Sequence, residues 1–320
     1  MAPRISAVIP VRNNADDLSD AVESVLAQPH VFEVLLCVGP SHDGSEDVAA
    51  RLAGQHEPVR VLENEHGGIP QALNLGLGAA SGAILLRLDA HSVLPADYVE
   101  NALETYEAEY AANVGAVQRP VGQTRTERAI AAAMGGRAGS GGAAYREGSE
   151  RRVVDTAFLG FFDIAVLRSI GGWDERFARN EDAELNIRIS EAGHHVWLDP
   201  RLVVDYRPRD SLRALANQYW HYGWWRLQTI RAHPRSLKLR QLAAPVIVIV
   251  LAAGIVLAAL VSPWWLLIPG AYISAVLAAG LASAGPIGQR LVTGAALVTM
   301  HLSWGTNFLR SALASLFRRG

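Results

Sequence analysis

From Leu242 to Val261 the chain reads LAAPVIVIVLAAGIVLAALV, without a single charge. A helix of about 20 residues matches the hydrocarbon thickness of a bilayer. In water the same run would present apolar surface on every side. A second run, WWLLIPGAYISAVLAAGLA (Trp264 to Ala282), follows after Ser262 and Pro263 alone. The pair predicts a transmembrane hairpin, which rules out a single water-soluble globule. A third run, Leu291 to Leu309, carries His301, Ser303 and Asn307. If it crosses, Arg310, Arg318 and Arg319 finish outside, against the positive-inside bias, so it either crosses against that bias or packs without a full crossing.

The apolar character is confined to the C-terminal quarter. Of 320 residues 50% are hydrophobic and 19% charged, yet up to Pro208 charges occur at ordinary density and after Leu242 they nearly vanish. Between these lies SLRALANQYWHYGWWRLQTIRAHPRSLKLR, where aromatic rings alternate with Arg213, Arg226, Arg231, Arg235, Lys238 and Arg240. Rings at headgroup level and cations against anionic lipid suit a membrane interface better than a soluble core helix. Three regions follow: a globular domain over 1–208, an interfacial amphipathic region over 209–241 and a transmembrane region over 242–320. The basic run before Leu242 places that end inside. The N-terminus MAPRISAVIPV holds no signal-peptide-like stretch, so the globular domain is expected on the cytoplasmic face of the membrane. A lone cysteine, Cys37, allows no intrachain disulfide and suits a reducing compartment. A net charge of −2 argues against a nucleic-acid partner.

Within 1–208, ISAVIPV (Ile5 to Val11) and VFEVLLCVG (Val31 to Gly39) read as buried parallel strands. Leu18, Ala21, Val22, Val25 and Leu26 recur between them at helical spacing. A helix over 47–53, a strand at VRVLE, a helix through PQALNLGLGAAS and a strand at AILLRLDAH continue the alternation, which predicts a doubly wound α/β layer. Ligands of such layers sit beyond the carboxyl ends of strands. Polar clusters fall there: PVRNN (Pro10 to Asn14), PSHDGS (Pro40 to Ser45) and DAH (Asp89 to His91). Asp43 and Glu46 have capping-box spacing, a structural use that competes with a functional one. Along an extended strand end Asp89 and His91 would share a side, able to grip one divalent cation while Ala90 faces away. The segment 137–152, rich in Gly, Ser and Arg, reads either as a mobile loop over a substrate or as a surface linker.

NEDAELNIRISEAG (Asn180 to Gly193) places Leu185, Ile189 and Ala192 on one helical stripe and Glu181 and Asp182 at the start, behind Asn180 as a cap. Acids there offset the helix dipole, and the dipole in turn favours their ionised form.

VIPVRN, DGSED, GGIPQALNLGLGAASGAILLRLDAH and GGWDERFARNEDAELNIRISEAG together resemble, in order and spacing, the inverting glycosyltransferases of family 2. Their fold is GT-A, a Rossmann-like α/β domain that binds nucleotide-diphosphate sugars. RLDAH, DTAFLGFF before GGWDE, RNEDAEL and SLRALANQYWHYG are closest to the membrane glucosyltransferases of succinoglycan biosynthesis. The resemblance implies that Pro10, Arg12, Asn13 and Asp43 line the nucleotide, with Gly68 and Asn74 in the next nucleotide-proximal segment. Asp89 and His91 fall on the D-x-D metal motif, Asp89 also contacting the donor; histidine replaces the second aspartate, which favours Mn²⁺ over Mg²⁺. Glu181 and Asp182 fall on the E-D catalytic motif, Asp182 as general base on the acceptor hydroxyl. Trp173 and Asp174 are implied near the acceptor sugar, Trp173 as a stacking platform unless it is core.

The function implied is transfer of one sugar, from a UDP-sugar before other donors, to a lipid-linked saccharide or polysaccharide precursor in exopolysaccharide or cell-envelope synthesis. A processive polysaccharide synthase is the alternative, but QYWHYGWWR lacks the Q-x-x-R-W spacing of those enzymes. An idle nucleotide-sugar-binding scaffold would have little use for Asp43, Asp89 and Asp182 together. A nucleotidyltransferase would want a glycine-rich basic loop, which PVRNNADD is not.

Overall fold

The computed structural model describes residues 3–147 and 149–317, so Arg318 and Arg319 of the sequence argument lie outside it. The chain divides into two compact units, Met1–Arg119 with Gly148–Asp205, and Pro120–Glu147 with Tyr206–Gly320. Residues 120–147 thus group with the residues from Tyr206 onward and not with the rest of 1–208. The division also separates charge. The first unit holds 28 acids and 13 Lys/Arg; the second holds 16 Lys/Arg and three acids, Glu127, Glu147 and Asp210.

In chain order the elements are β1 (Ile5–Val11), α1 (Leu18–Leu26), β2 (Val31–Val38), α2 (Ser45–Gln55), β3 (Val59–Glu63), α3 (Ile69–Ala79), β4 (Ile84–Arg87), α4 (Tyr98–Glu109) and β5 (Asn113–Pro120). Then follow α5 (Arg125–Gly135), α6 (Arg137–Ser140), α7 (Ala144–Glu147), β6 (Arg152–Val153), β7 (Phe158–Asp163), α8 (Ile164–Ser169), α9 (Glu181–Glu191) and β8 (Val196–Tyr206). The chain ends with α10 (Leu212–Ala232), α11 (Ala243–Leu260), α12 (Leu267–Leu281) and α13 (Ile287–Phe317).

The strands form one sheet in the order β3-β2-β1-β4-β7-β5-β8-β6. β1, β2, β3 and β4 are parallel; β1, β2 and β4 are largely apolar and buried on both faces, whereas β3 is the more exposed edge strand. β7 then pairs antiparallel with both β4 and β5, so the layer is mixed rather than doubly wound throughout. The order reverses between β1 and β4, and that switch point opens a crevice at the carboxyl ends of the parallel strands. Ile5, Ala7, Ile9, Val34, Leu36, Ile84 and Leu86 fill one core with Leu18, Val22 and Val25 of α1. Each buried aliphatic side chain stabilises by about 1.5–3 kcal/mol. Gly76 lets α3 lie directly on β1, where a Cβ would stand 2.3 Å from Cγ1 of Val8.

In the second unit, Thr124 and Glu127 form a capping box at the start of α5, and Glu127 also accepts from Arg207 at 3.0 Å. Segment 137–152 supplies α6, α7 and β6 rather than one irregular loop. Among the described residues two helical stretches are long and apolar enough to cross a membrane: Leu239–Leu260, mean hydropathy 2.8, and Pro263–Leu281, mean hydropathy 1.6, each window only 11% buried. α13 is different. Its Ala296, Leu297 and Met300 pack with Ile130 and Met134 of α5 and Leu215 and Tyr219 of α10. Its polar residues are used on the same neighbours, Thr293 donating to the Ala129 carbonyl at 3.2 Å and Asn307 to the Trp220 carbonyl at 2.7 Å. Those bonds explain why the third run carries polar groups and favour packing over lipid exposure.

Apolar insertion is not screened by salt. Full-length protein is therefore expected to stay in the membrane fraction through a 1 M salt wash and to leave it only with detergent; recovery in the soluble fraction would contradict the hairpin.

Candidate active site

Three loops at the strand ends are tied together by backbone. After β1 the chain turns at Asn13, whose φ of 54° suits an asparagine. Asn13 donates its N–H to Ser41 Oγ at 3.2 Å and accepts from the His42 N–H at 2.9 Å. Ala15 donates to Asp43 Oδ2 at 3.0 Å, while Ser45 gives both N–H and hydroxyl to Oδ1. The Ala15 N–H, aided by Ser45, holds the exposed Asp43 carboxyl below the usual carboxylate range. The capping box that the spacing of Asp43 and Glu46 offered as an alternative does not form: α2 begins at Ser45 behind a left-handed Gly44, and Glu46 accepts from the Ser41 N–H at 2.9 Å. Arg12 reaches the third loop, donating to the Gly67 carbonyl at 3.2 Å beside Gly68. A Cβ on Gly39 would lie 2.8 Å from Gly67 Cα, so only glycine allows this approach. Pro10, Arg12, Asn13, Asp43 and Gly68 thus share one rim.

Asn74 does not join them. Both of its N–H groups are taken, by the Trp173 carbonyl at 2.8 Å and Glu175 Oε1 at 3.0 Å, and its Oδ1 accepts from the Trp173 N–H. It pins the segment leading to α9 instead of facing a nucleotide.

β4 ends at Arg87, and the chain turns, the Ser92 N–H bonding the Asp89 carbonyl at 2.9 Å. The extended alternation expected of Asp89 and His91 is therefore absent, although its outcome survives in part: Ala90 is buried, Asp89 partly buried and His91 exposed.

The residue that organises the site is Arg87, to which the sequence reading gave no role. Its side chain is 4% exposed and pairs with Asp89 at 3.2 Å, Glu181 at 3.2 Å and Asp182 more tightly still. Glu181 and Asp182 lie 94 and 95 positions further on. The signal was present: an arginine inside AILLRLDAH must be paired if the strand is buried. Burial works against the Arg87 charge, but Asp182, then Asp89 and Glu181, outweigh it and hold the guanidinium charged. One cation cannot neutralise three carboxylates. Burial pushes the Asp182 carboxyl up, to about 8, against the pull of Arg87 and with the help of Glu181 and Asp89. This reverses the expectation from the helix dipole. The dipole effect is worth well under the desolvation of a buried acid, and Asn180, left-handed at φ 62°, makes no side-chain cap. On the helix stripe Leu185 and Ile189 are buried, whereas Ala192 is exposed.

Trp173 is core. It is 2% exposed and meets Phe162 edge to face at 5.5 Å, so no sugar reaches its ring. Its indole N–H is buried without a well-formed hydrogen bond and faces Asp182, whose charged form it favours. Asp174 is held ionised by Arg176, 2.7 Å away. A cavity of about 450 Å³ lined by Tyr106, Asp163 and His194 shares no residue with this cluster.

Among the described residues no group of three or more His, Cys, Asp or Glu side chains is arranged to hold a metal. Asp89 Oδ1 accepts from Arg87, and among the described residues Oδ2 has no hydrogen bond, with exposed His91 on the same turn. A carboxylate oxygen and an imidazole fit half of a divalent-cation site, the kind that diphosphate oxygens and water complete.

The family model described as glycosyl transferase family 2 matches residues 6–165. The succinoglycan biosynthesis protein ExoA of Rhizobium meliloti (strain 1021) is 33% identical over 98% of this chain and 95% of its own. The dolichyl N-acetyl-alpha-D-glucosaminyl phosphate 3-beta-D-2,3-diacetamido-2,3-dideoxy-beta-D-glucuronosyltransferase of Methanococcus voltae is 26% identical over 68% of this chain and 71% of its own. The mannosyltransferase PcManGT of Pyrobaculum calidifontis, solved with GDP-Man and Mn²⁺, superposes with a TM-score of 0.61 at 22% identity, covering all of this chain and 89% of that one. The fold is thus the GT-A arrangement that the motifs implied.

Proposed function

The chain belongs to glycosyl transferase family 2, and from that premise we propose that it is an inverting, metal-dependent enzyme of the cytoplasmic membrane face. Its donor is a nucleotide-diphosphate sugar, a UDP-sugar before the GDP-mannose found in PcManGT, and its acceptor a lipid-linked saccharide or polysaccharide precursor. The observation that carries this reading is the Arg87 cluster, which joins the end of β4 to the start of α9.

The rim of Pro10, Arg12, Asn13, Asp43 and Gly68 takes the nucleoside, and Asp89 sits at the diphosphate. Asp182 accepts the proton of the acceptor hydroxyl as its oxygen attacks the anomeric carbon, on the face opposite the departing nucleotide. A carboxyl raised into the neutral range is a stronger base than an ordinary aspartate, and ionised often enough to act. Glu181 and Arg87 hold it in place, while Trp173 and Asp174 shape the segment before it. When bound at Asp89 and His91, a divalent cation, Mn²⁺ in preference to Mg²⁺, offsets the charge that gathers on the leaving diphosphate.

Detergent-solubilised protein offered UDP- and GDP-sugars is expected to release nucleoside diphosphate from one of them; no release from any, with donor still bound, would identify a binding scaffold. Excess chelator abolishes the release. Asp in place of His91 supplies a hard oxygen ligand, so His91→Asp shifts the activity ratio toward Mg²⁺ in paired metal titrations. Full activity in chelator would remove Asp89 and His91 from the metal role.

A further inference from the structure

The second unit holds a half-buried cation that no described acid neutralises. Arg146 on α7 donates only Nη1, to the Met134 carbonyl at 3.3 Å and the Tyr219 hydroxyl at 3.4 Å, both long. Its Nε is buried without a partner, and no hydrogen bond of Nη2 is present among the described residues. No described carboxylate pairs with it, and the Tyr145 ring lies 5.4 Å from the guanidinium. A charge partly withdrawn from water costs more unpaired than an exposed one. The free Nε/Nη2 edge is the fork that arginine uses to grip a carboxylate or phosphate through two parallel bonds.

The surroundings supply donors of the same kind. Tyr219 accepts from Arg146, and Tyr222 accepts from Gln218 Nε2 at 3.0 Å, so each hydroxyl keeps its own hydrogen to give. The two rings stand 5.5 Å apart on α10, centroid to centroid. Gln218 Nε2 also holds the Tyr206 hydroxyl at 2.9 Å, which fixes the group. A guanidinium edge and two hydroxyl donors, with no described acid, suit a dianionic oxyanion better than a carboxylate. This unit also carries the two candidate membrane spans and a large excess of cations over acids.

We propose that Arg146, Tyr219 and Tyr222 form a phosphate-binding site that takes the phosphate of a membrane lipid. The inference rests on the reading above, and deepens it, in assigning the lipid-linked acceptor a phosphate that residues of the second unit hold.

The test uses full-length protein in neutral detergent, titrated with short-chain phosphatidic acid, with the matching diacylglycerol and with inorganic phosphate, bound ligand being counted by native mass spectrometry. Phosphatidic acid is expected to bind, and Arg146→Gln to weaken it by about 10- to 100-fold, the loss of a charge-assisted bidentate contact. Arg146→Lys retains an intermediate affinity, and Tyr222→Phe weakens binding by a few fold without removing charge. Diacylglycerol binding as tightly as phosphatidic acid, or equal phosphatidic acid binding by wild type, Arg146→Gln and Tyr222→Phe, overturns the site. Inorganic phosphate binding as tightly as the lipid upholds the phosphate chemistry and overturns the lipid source. Donor turnover by the wild type, measured separately, decides the glycosyltransferase reading, so the two fail independently.

Discussion

Replacing Asp182 with asparagine lowers sugar transfer by about 10²- to 10⁴-fold, the usual cost of a positioned general base, and leaves donor affinity in place. The amide keeps the size of the carboxyl and cannot take a proton near neutral pH. Stability is expected to hold within about 1 kcal/mol, because burial already disfavours the charged form of Asp182 against the pull of Arg87. The sign of the pH effect follows from the same balance. A carboxyl with a raised folded pKa is most at home protonated, so its contribution to stability is greatest at low pH and is lost as pH rises through the folded value, near 8. Transfer runs the other way, since the base must be ionised: kcat rises with pH well above the range of an ordinary aspartate. Product assays across pH, with donor affinity from calorimetry, test both. Unchanged transfer in Asp182→Asn would return this side chain to a structural role at the start of α9.

Arg87→Met is expected to be the most destabilising exchange in the first unit, by about 3–5 kcal/mol, the cost of leaving buried charges without their partner. Asp89, Glu181 and the carboxyl of Asp182 would then face one another with no cation between them. Methionine fills most of the volume, so the loss reports charge rather than a cavity. Arg87→Lys keeps the charge but not the fork and recovers part of the stability. Adding Asp182→Asn to Arg87→Met removes one of the stranded carboxylates, and the double variant should be more stable than Arg87→Met alone. Urea unfolding of the four proteins in detergent measures this cycle. Equal stability of Arg87→Met and wild type would show that the cluster is not what fixes Asp182.

The parallel half of the sheet was legible because β1, β2 and β4 are largely apolar runs bounded by Pro, Gly and Asn, and a βαβ alternation permits few topologies. β7 was not: its pairing with both β4 and β5 depends on contacts distant in sequence, and DTAFLGFF alone does not reveal direction. At the site, residue identity was easier to read than use. Asp43 follows β2 and Asp182 lies in the first turn of α9, but motif spacing gave no hint that Asn74 spends its amide on Trp173 or that Trp173 is enclosed. Burial also decided the direction of the Asp182 shift, and burial is a property of the packed chain. Arg87 is the instructive case, since one charge in an apolar strand announces partners without saying where in the chain they are.

The division of the chain has a consequence for its synthesis. Residues 120–147 leave the first unit and return to it at 148, while their own apolar partners, from Leu215 to Met300, come last. At about 5–20 residues per second, roughly 10–30 s separate the emergence of Met134 from that of Met300. Through that interval Ile130, Ala133 and Met134 have no helix to cover them. The sheet can close around its strands as soon as 205 is made, but α5 must wait for the bilayer to receive the helices that follow. Cutting the chain at 208 would make that wait permanent, leaving a folded sheet with an adhesive arm. The enzyme is thus assembled in two interleaved instalments, and the membrane is a participant in its folding as well as its address.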